Sequence, residues 1–168
     1  MIREFDGKRP QIASSAFVSE TAYIAGDVEI GENANIWPGA VIRGDIGKIT
    51  IGKNTSIEDN CVVHSATGLI IGDNTLVGHA AILHCSKIGN NVLLGNNATV
   101  LDNAEIGDHC IIAAGSLVSP GTILPSESFA TGVPAQVKGK ISQNQKDYIT
   151  IGSAFNIELA QKYKKQGL

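Results

Sequence analysis

The stretch Ile88-Gly89-Asn90-Asn91-Val92-Leu93-Leu94-Gly95-Asn96-Asn97-Ala98-Thr99-Val100 places a large aliphatic side chain at every sixth position, Ile88, Leu94 and Val100. The same beat extends in both directions. Towards the C-terminus it continues through Ile106, Ile112, Val118 and Leu124; towards the N-terminus it runs back through Leu83, Val77 and Ile71, then Val63, Ile57 and Ile51, then Ile42, Ile36, Ile30, Ile24 and Val18. Two residues before each stands a mostly smaller one, including Ala22, Ala34, Ala40, Cys61, Ala81, Ser86, Ala98, Ala104 and Cys110. Alternate residues of a strand face the same way, so both columns are expected to point inward. Three positions after the aliphatic residue come Asp27, Asn33, Gly39, Asp45, Asn54, Asn60, Asn74, Asn91, Asn97 and Asn103, residue types that tolerate positive φ at a tight corner. One strand and one corner per six residues, three times around, gives a triangular prism of roughly 18 residues per coil: a parallel β-helix. Breaks in the beat mark loops, nine residues from Ile42 to Ile51 and eight from Val63 to Ile71, and a short side of five from Leu83 to Ile88.

Composition agrees with this reading. The 168 residues are 43% hydrophobic but only 5% aromatic, too apolar for disorder and too poor in large rings for an ordinary helical or α/β core. A formal net charge of −3 argues against nucleic acid or an anionic membrane as a partner. No apolar run approaches a membrane span and the first residues carry no apolar leader core, so a cytoplasmic location is expected. Three cysteines, Cys61, Cys85 and Cys110, without CxxC spacing argue against a disulfide scaffold or a cysteine zinc knuckle. Cys61 and Cys110 fall in the inward column, whereas Cys85 reads as outward, a spare ligand or an oxidisable thiol.

After Pro134 the six-residue beat stops. Residues 1–140 are read as the β-helix domain and 141–168 as a C-terminal helix, with Ser142 as N-cap and Tyr148, Ile151, Phe155, Leu159 and Tyr163 as the apolar stripe that covers a side of the prism. The charge divides at the same place, eight basic and fourteen acidic residues in 1–139 against five and two in 140–168.

Three of the four histidines lie close together in sequence. His64 follows Val63 and His84 follows Leu83, three repeat steps apart, so they share one outward column on successive coils, about 4.8 Å apart. Arg43 follows Ile42 and lies in that column one coil below. His79 belongs to the preceding side of the triangle, across a corner from the pair. If prisms pack side by side, His79 of one copy could face His64 and His84 of the next, giving three His ligands with an open fourth position. A plain surface ladder of histidines is the competing reading. His109 falls at a corner and reads as a turn residue, as does Asp45.

The stretches Ile36-Trp37-Pro38, Arg43-Gly44-Asp45, Ser56-Ile57-Glu58-Asp59-Asn60, Val77-Gly78-His79 with His84 beyond, and Gly132-Val133-Pro134-Ala135 resemble the γ-class carbonic anhydrases, including ferripyochelin-binding-protein-like members, over nearly the whole chain. Hexapeptide-repeat proteins of this kind resemble the present chain over about residues 12–136. The resemblance implies a left-handed helix of about seven coils and a homotrimer with three interfacial metal sites, His64 and His84 from one subunit and His79 from its neighbour. It further implies Zn2+, with Fe2+ or Co2+ as alternatives, and reversible hydration of CO2 to bicarbonate by a metal-bound hydroxide. Arg43 and Asp45 would form an interface ion pair. Asn156 matches a helix position expected to hydrogen-bond near CO2 or the bound water. Glu58 stands where the family commonly carries Gln, as a general base or as a brake on activity. Ile46 replaces an acid of the family's prototype, and the short Ser65–Leu69 loop lacks the prototype's proton-shuttle segment, so slow proton export is expected. Two other classes compete: a hexapeptide acyltransferase with one catalytic His and a CoA-type thioester donor, and a noncatalytic or weakly active trimeric metal-binding relative.

Overall fold

The computed structural model describes residues Met1–Leu168, and it is a left-handed β-helix of about seven coils with one C-terminal helix. The first wall stacks Phe17–Val18, Asn35–Ile36, Ser56–Ile57, Leu76–Val77, Leu93–Leu94, Ile111–Ile112 and Ser128–Gly132 in parallel. Val62–His64, Ile82–Leu83, Thr99–Val100 and Leu117–Val118 build the second wall on the start of the long strand Val41–Ile51. The third wall rises from the end of that same strand through Leu69–Ile71, Lys87–Ile88, Glu105–Ile106 and Ile123–Leu124.

The inward aliphatic column is buried at every position from Ile24 to Leu124, with only Val18 partly exposed, and Ala22, Ala34, Ala40, Cys61, Ala81, Ala98, Ala104 and Cys110 are fully buried between its members. The prism interior admits about one branched and one small side chain per wall per coil, which is why aromatic rings are scarce in it. Asn33, Asn54, Asn60, Asn74, Asn91, Asn97 and Asn103 all adopt φ between +54° and +60°, and His109 takes +55° as a turn residue.

Three sequence expectations are corrected. Asp27 and Asp45 are not left-handed corner residues: they lie within the continuous strands Tyr23–Ile30 and Val41–Ile51, and the bend there is made by Gly26 at φ +82° facing Gly44. Cys85 is not outward but fully buried, and Ser86, expected inward, is partly exposed. On the five-residue side the in–out alternation runs straight on through Ala81, Leu83 and Cys85, as it does one coil below through Cys61, Val63 and Ser65. Burial pushes the Cys61 and Cys85 thiols up to about 12.

The third correction concerns the helix, Gln143–Gln166, which starts at Ser142 in a reciprocal capping box with Gln145. Its buried residues are Ile149, Ser153 and Ala160, whereas Tyr148, Ile151 and Phe155 are 62–68% exposed. The helix lies so close to the first wall that a Cβ on Gly152 would come within 2.9 Å of the Leu76 side chain. Small residues therefore face the prism along the middle of the helix and Tyr148, Ile151 and Phe155 turn outward, while Leu159 and Tyr163 pack against the prism as expected. Ile149 packs with Leu76, Ile111 and Ile141 at one end; at the other Tyr163 stands edge-on to Phe17 and Trp37, with ring centroids 5.9 and 5.2 Å away.

Candidate metal centre

Ladder register sets the first half of the site. Arg43 pairs with His64 across adjacent strands, and Val63 pairs with Leu83, so Arg43, His64 and His84 rise up the second wall as one column. Asp45 lies two residues beyond Arg43 on the same strand; it accepts from Arg43 Nη1 at Oδ2 and from His64 Nε2 at Oδ1, 2.9 Å away. Burial raises the Asp45 carboxyl, but the His64 hydrogen bond and the Arg43 charge outweigh it and hold the group below its ordinary value. The Arg43–Asp45 ion pair thus forms within one chain.

His64 Nδ1 and His84 Nε2 stand 3.1 Å apart, and the far nitrogen of each ring is engaged by a carboxylate: Asp45 on His64 Nε2, and Asp102 Oδ1 on His84 Nδ1 at 3.0 Å. A carboxylate accepts, so each outer nitrogen bears the hydrogen in the neutral ring. In those tautomers two lone pairs face one another, an arrangement that a shared cation would satisfy. Nitrogens bound to one tetrahedral ion at about 2.0–2.1 Å stand roughly 3.3–3.4 Å apart, close to the spacing found here. The donor set fits a divalent metal such as zinc. His64 is well enclosed, its side chain 13% exposed.

The second half lies at the edge of the first wall. Val77 pairs with Ile57, which brings His79 over Glu58 and Asp59. Asp59 Oδ2 contacts His79 Nδ1 at 3.0 Å and Glu58 Oε2 contacts Nε2 at 3.1 Å. Asn156 of the helix donates from Nδ2 to Glu58 Oε1 at 3.1 Å and to Ser56 Oγ at 3.3 Å. Glu58, His79 and Asn156 line a groove of about 440 Å³ walled by Leu76, Leu93, Tyr148, Ile151 and Phe155. Beside His79, Ala80 holds φ +58° at a corner where the neighbouring coils place Asn60 and Asn97, local strain at a site residue.

The chain therefore brings Arg43, Asp45, His64 and His84 together, and separately Glu58, His79 and Asn156. It does not join the halves: no group of three His, Cys, Asp or Glu side chains in one chain is disposed to hold a metal. Sequence reasoning missed two carboxylates, Asp59 and Asp102. Their signal is spacing, 20 residues before His79 and 18 after His84, each about one coil.

The bacterial transferase hexapeptide (six repeats) family model matches residues 9–44, 68–101 and 85–120. A Methanocaldococcus jannaschii protein described as "Probable carbonic anhydrase" is 46% identical over 136 residues, 80% of this chain and 86% of that protein. Gamma carbonic anhydrase 2, mitochondrial, of Arabidopsis thaliana is 37% identical over 169 residues, 96% of this chain. The chain spans 60% of the length of that protein and 53% of a Geobacillus kaustophilus carbonic anhydrase to which it is 45% identical over 96 residues, 56% of this chain. Among solved structures, a hexapeptide transferase family protein from Anaplasma phagocytophilum superposes with TM-score 0.93 at 37% identity, covering 96% of this chain and 97% of that one.

Proposed function

The chain belongs to the γ-class carbonic anhydrase family of hexapeptide-repeat proteins, and on that premise we propose that it hydrates CO2 reversibly to bicarbonate at a metal held between subunits of a homotrimer. His64 Nδ1 and His84 Nε2 of one subunit would hold the ion with His79 Nε2 of a neighbour; zinc suits three imidazoles, and iron or cobalt would also accept them. The observation that carries the reading is the facing pair of imidazole nitrogens, each with its other nitrogen engaged by a carboxylate. The bound ion would supply Lewis acidity that brings the pKa of a coordinated water to about 7.

The remaining roles fall to protein groups. In the single chain Glu58 Oε2 occupies His79 Nε2; once that nitrogen serves as a ligand, Oε2 is released and can take the proton of the reacting water. Asn156 Nδ2 holds the other oxygen, Oε1, and so fixes the direction in which Glu58 points. The loop Ser65-Ala66-Thr67-Gly68-Leu69 offers no titratable side chain to carry the proton onward, so turnover should rise with buffer concentration. Apolar side chains border both halves of the site, Val62 and Ile82 beside the His64–His84 column and Tyr148, Ile151 and Phe155 beside His79. Such borders suit a subunit interface.

Stopped-flow CO2 hydration on anaerobically purified protein, with zinc, iron and cobalt quantified in the same sample, tests the activity. The shared site is tested by mixing His79→Ala with His64→Ala subunits: each variant alone should lose metal, while mixed trimers regain it at interfaces that combine an intact His64–His84 pair with an intact His79. Full metal retention by His79→Ala would sink the shared geometry. A second reading, acyl transfer, is favoured by the structural likeness to a hexapeptide transferase family protein, and CoA binding would support it. Metal-loaded protein without hydration activity would instead favour a noncatalytic metal-binding relative.

A further inference from the structure

We propose that Asp102 is the positioning residue of His84: it accepts the Nδ1 hydrogen of that ring and thereby aims the Nε2 lone pair at the point shared with His64 Nδ1. The proposal rests on the metal reading given above. Asp102 lies one coil above His84, at the corner after Thr99–Val100, and its Oδ1 is 3.0 Å from His84 Nδ1. Its side chain is 56% exposed and touches no cationic side chain besides the histidine, so neither burial nor a salt bridge explains its orientation. The backbone carbonyl of Asp102 accepts from Gly121 N, a bond that any side chain here would keep.

The geometry decides between two tautomers. Without an acceptor at Nδ1, His84 is free to carry its hydrogen on Nε2 and donate it to His64 Nδ1, 3.1 Å away; that satisfies both rings and occupies both nitrogens a metal needs. With Asp102 in place, Nδ1 keeps the hydrogen and Nε2 stays bare. Asp59 meets His79 in the same way, Oδ2 to Nδ1 at 3.0 Å, again from an adjacent coil. Asp102 leaves Nε2 of His84 bare and Asp45 leaves Nδ1 of His64 bare; on His79 the Nε2 is met by Glu58 Oε2 at 3.1 Å. Carboxylates of this kind fix ring orientation and raise the donor strength of ligating histidines.

The experiment is zinc affinity by competition with a chromophoric chelator for wild type, Asp102→Leu and Asp102→Asn, together with the 15N imidazole spectrum of the metal-free proteins. Wild-type His84 should give the Nδ1–H pattern. Asp102→Leu should weaken zinc binding by about 10–100-fold, shift His84 towards Nε2–H and leave the metal-free melting temperature unchanged. Asp102→Asn, whose amide oxygen still accepts, should recover most of the affinity and the wild-type tautomer. A wild-type Nε2–H pattern, or zinc affinity in Asp102→Leu within twofold of wild type, would overturn the role of Asp102 and leave the metal reading standing. If Asp102→Leu does not fold, the wild-type spectrum and Asp102→Asn still decide. Wild-type protein that takes up no zinc, iron or cobalt would overturn the metal reading itself and the proposal with it.

Discussion

Replacing Gly44 by alanine probes the joint on which half the site is built. Gly44 separates Arg43 from Asp45 and faces Gly26 across the long strands. A Cβ on Gly44 would lie 2.3 Å from the Asp27 carbonyl oxygen and 2.7 Å from its carbon, where side chains essentially never come within 3.0 Å of another atom. Both contacts are backbone, so no side chain can swing aside and the strands must part. Overpacking of this kind costs about 1–3 kcal/mol, and each ladder hydrogen bond stretched in the process adds about 1 kcal/mol, for a total of about 2–5 kcal/mol. Gly26→Ala meets the mirror contact, 2.3 Å from the Gly44 oxygen, and also must hold φ +82°, which adds about 1–2 kcal/mol. Gly115→Ala isolates that second penalty: φ is +68° and nothing lies within 4 Å of the added carbon. Urea unfolding of the metal-free proteins at one fixed subunit concentration should rank the losses Gly26→Ala above Gly44→Ala above Gly115→Ala. Zinc uptake should fall in the first two variants and persist in the third, because only there are Arg43, Asp45 and His64 undisturbed. Gly44→Ala as stable as Gly115→Ala, with metal uptake intact, would refute the claim that backbone contact at this bend holds the site.

Two further outcomes follow from burial and charge. Native protein should expose no thiol to an aqueous disulfide reagent near pH 8, since Cys61, Cys85 and Cys110 are buried and the first two are pushed up to about 12; all three should react once the chain is unfolded, and a fast-reacting thiol in the native state would contradict the inward placement of Cys85. Glu127 links the last coil to the helix through Lys146, with Lys140 at the end of the strand Ala135–Lys140 also beside it, and the Lys146 hydrogen bond and charge hold its carboxyl below its ordinary value of 4.5. A depressed carboxyl contributes stability above the unfolded value and loses it as pH falls through the folded one. The melting temperature of wild type should therefore exceed that of Glu127→Gln at neutral pH, and the gap should close below about pH 4.5; a gap that stays constant down to about pH 3 would count against the linkage.

The six-residue beat alone determined the prism, because a narrow interior of fixed cross-section accepts one kind of side chain at each inward place and punishes a slip of one residue on every coil. For the same reason counting along the sequence put Arg43, His64 and His84 in one column: ladder register is set locally and repeats. What counting misjudged are places where local regularity yields to space. Cys85 turned inward because the strand alternation runs on past Leu83, as it does past Val63 to Ser65; Asp45 lies in a strand because paired glycines let the chain bend without a corner; and Tyr148, Ile151 and Phe155 turned outward where the helix lies closest to the wall, while Leu159 and Tyr163 pack as expected. The roles of Asp59 and Asp102 were missed for a different reason. A hydrogen bond between coils depends on which way two side chains lean across about 4.8 Å, and no period in the sequence records that direction. The tertiary structure alone decided which nitrogen of His64 and which of His84 face each other, the point on which the proposed metal site is built.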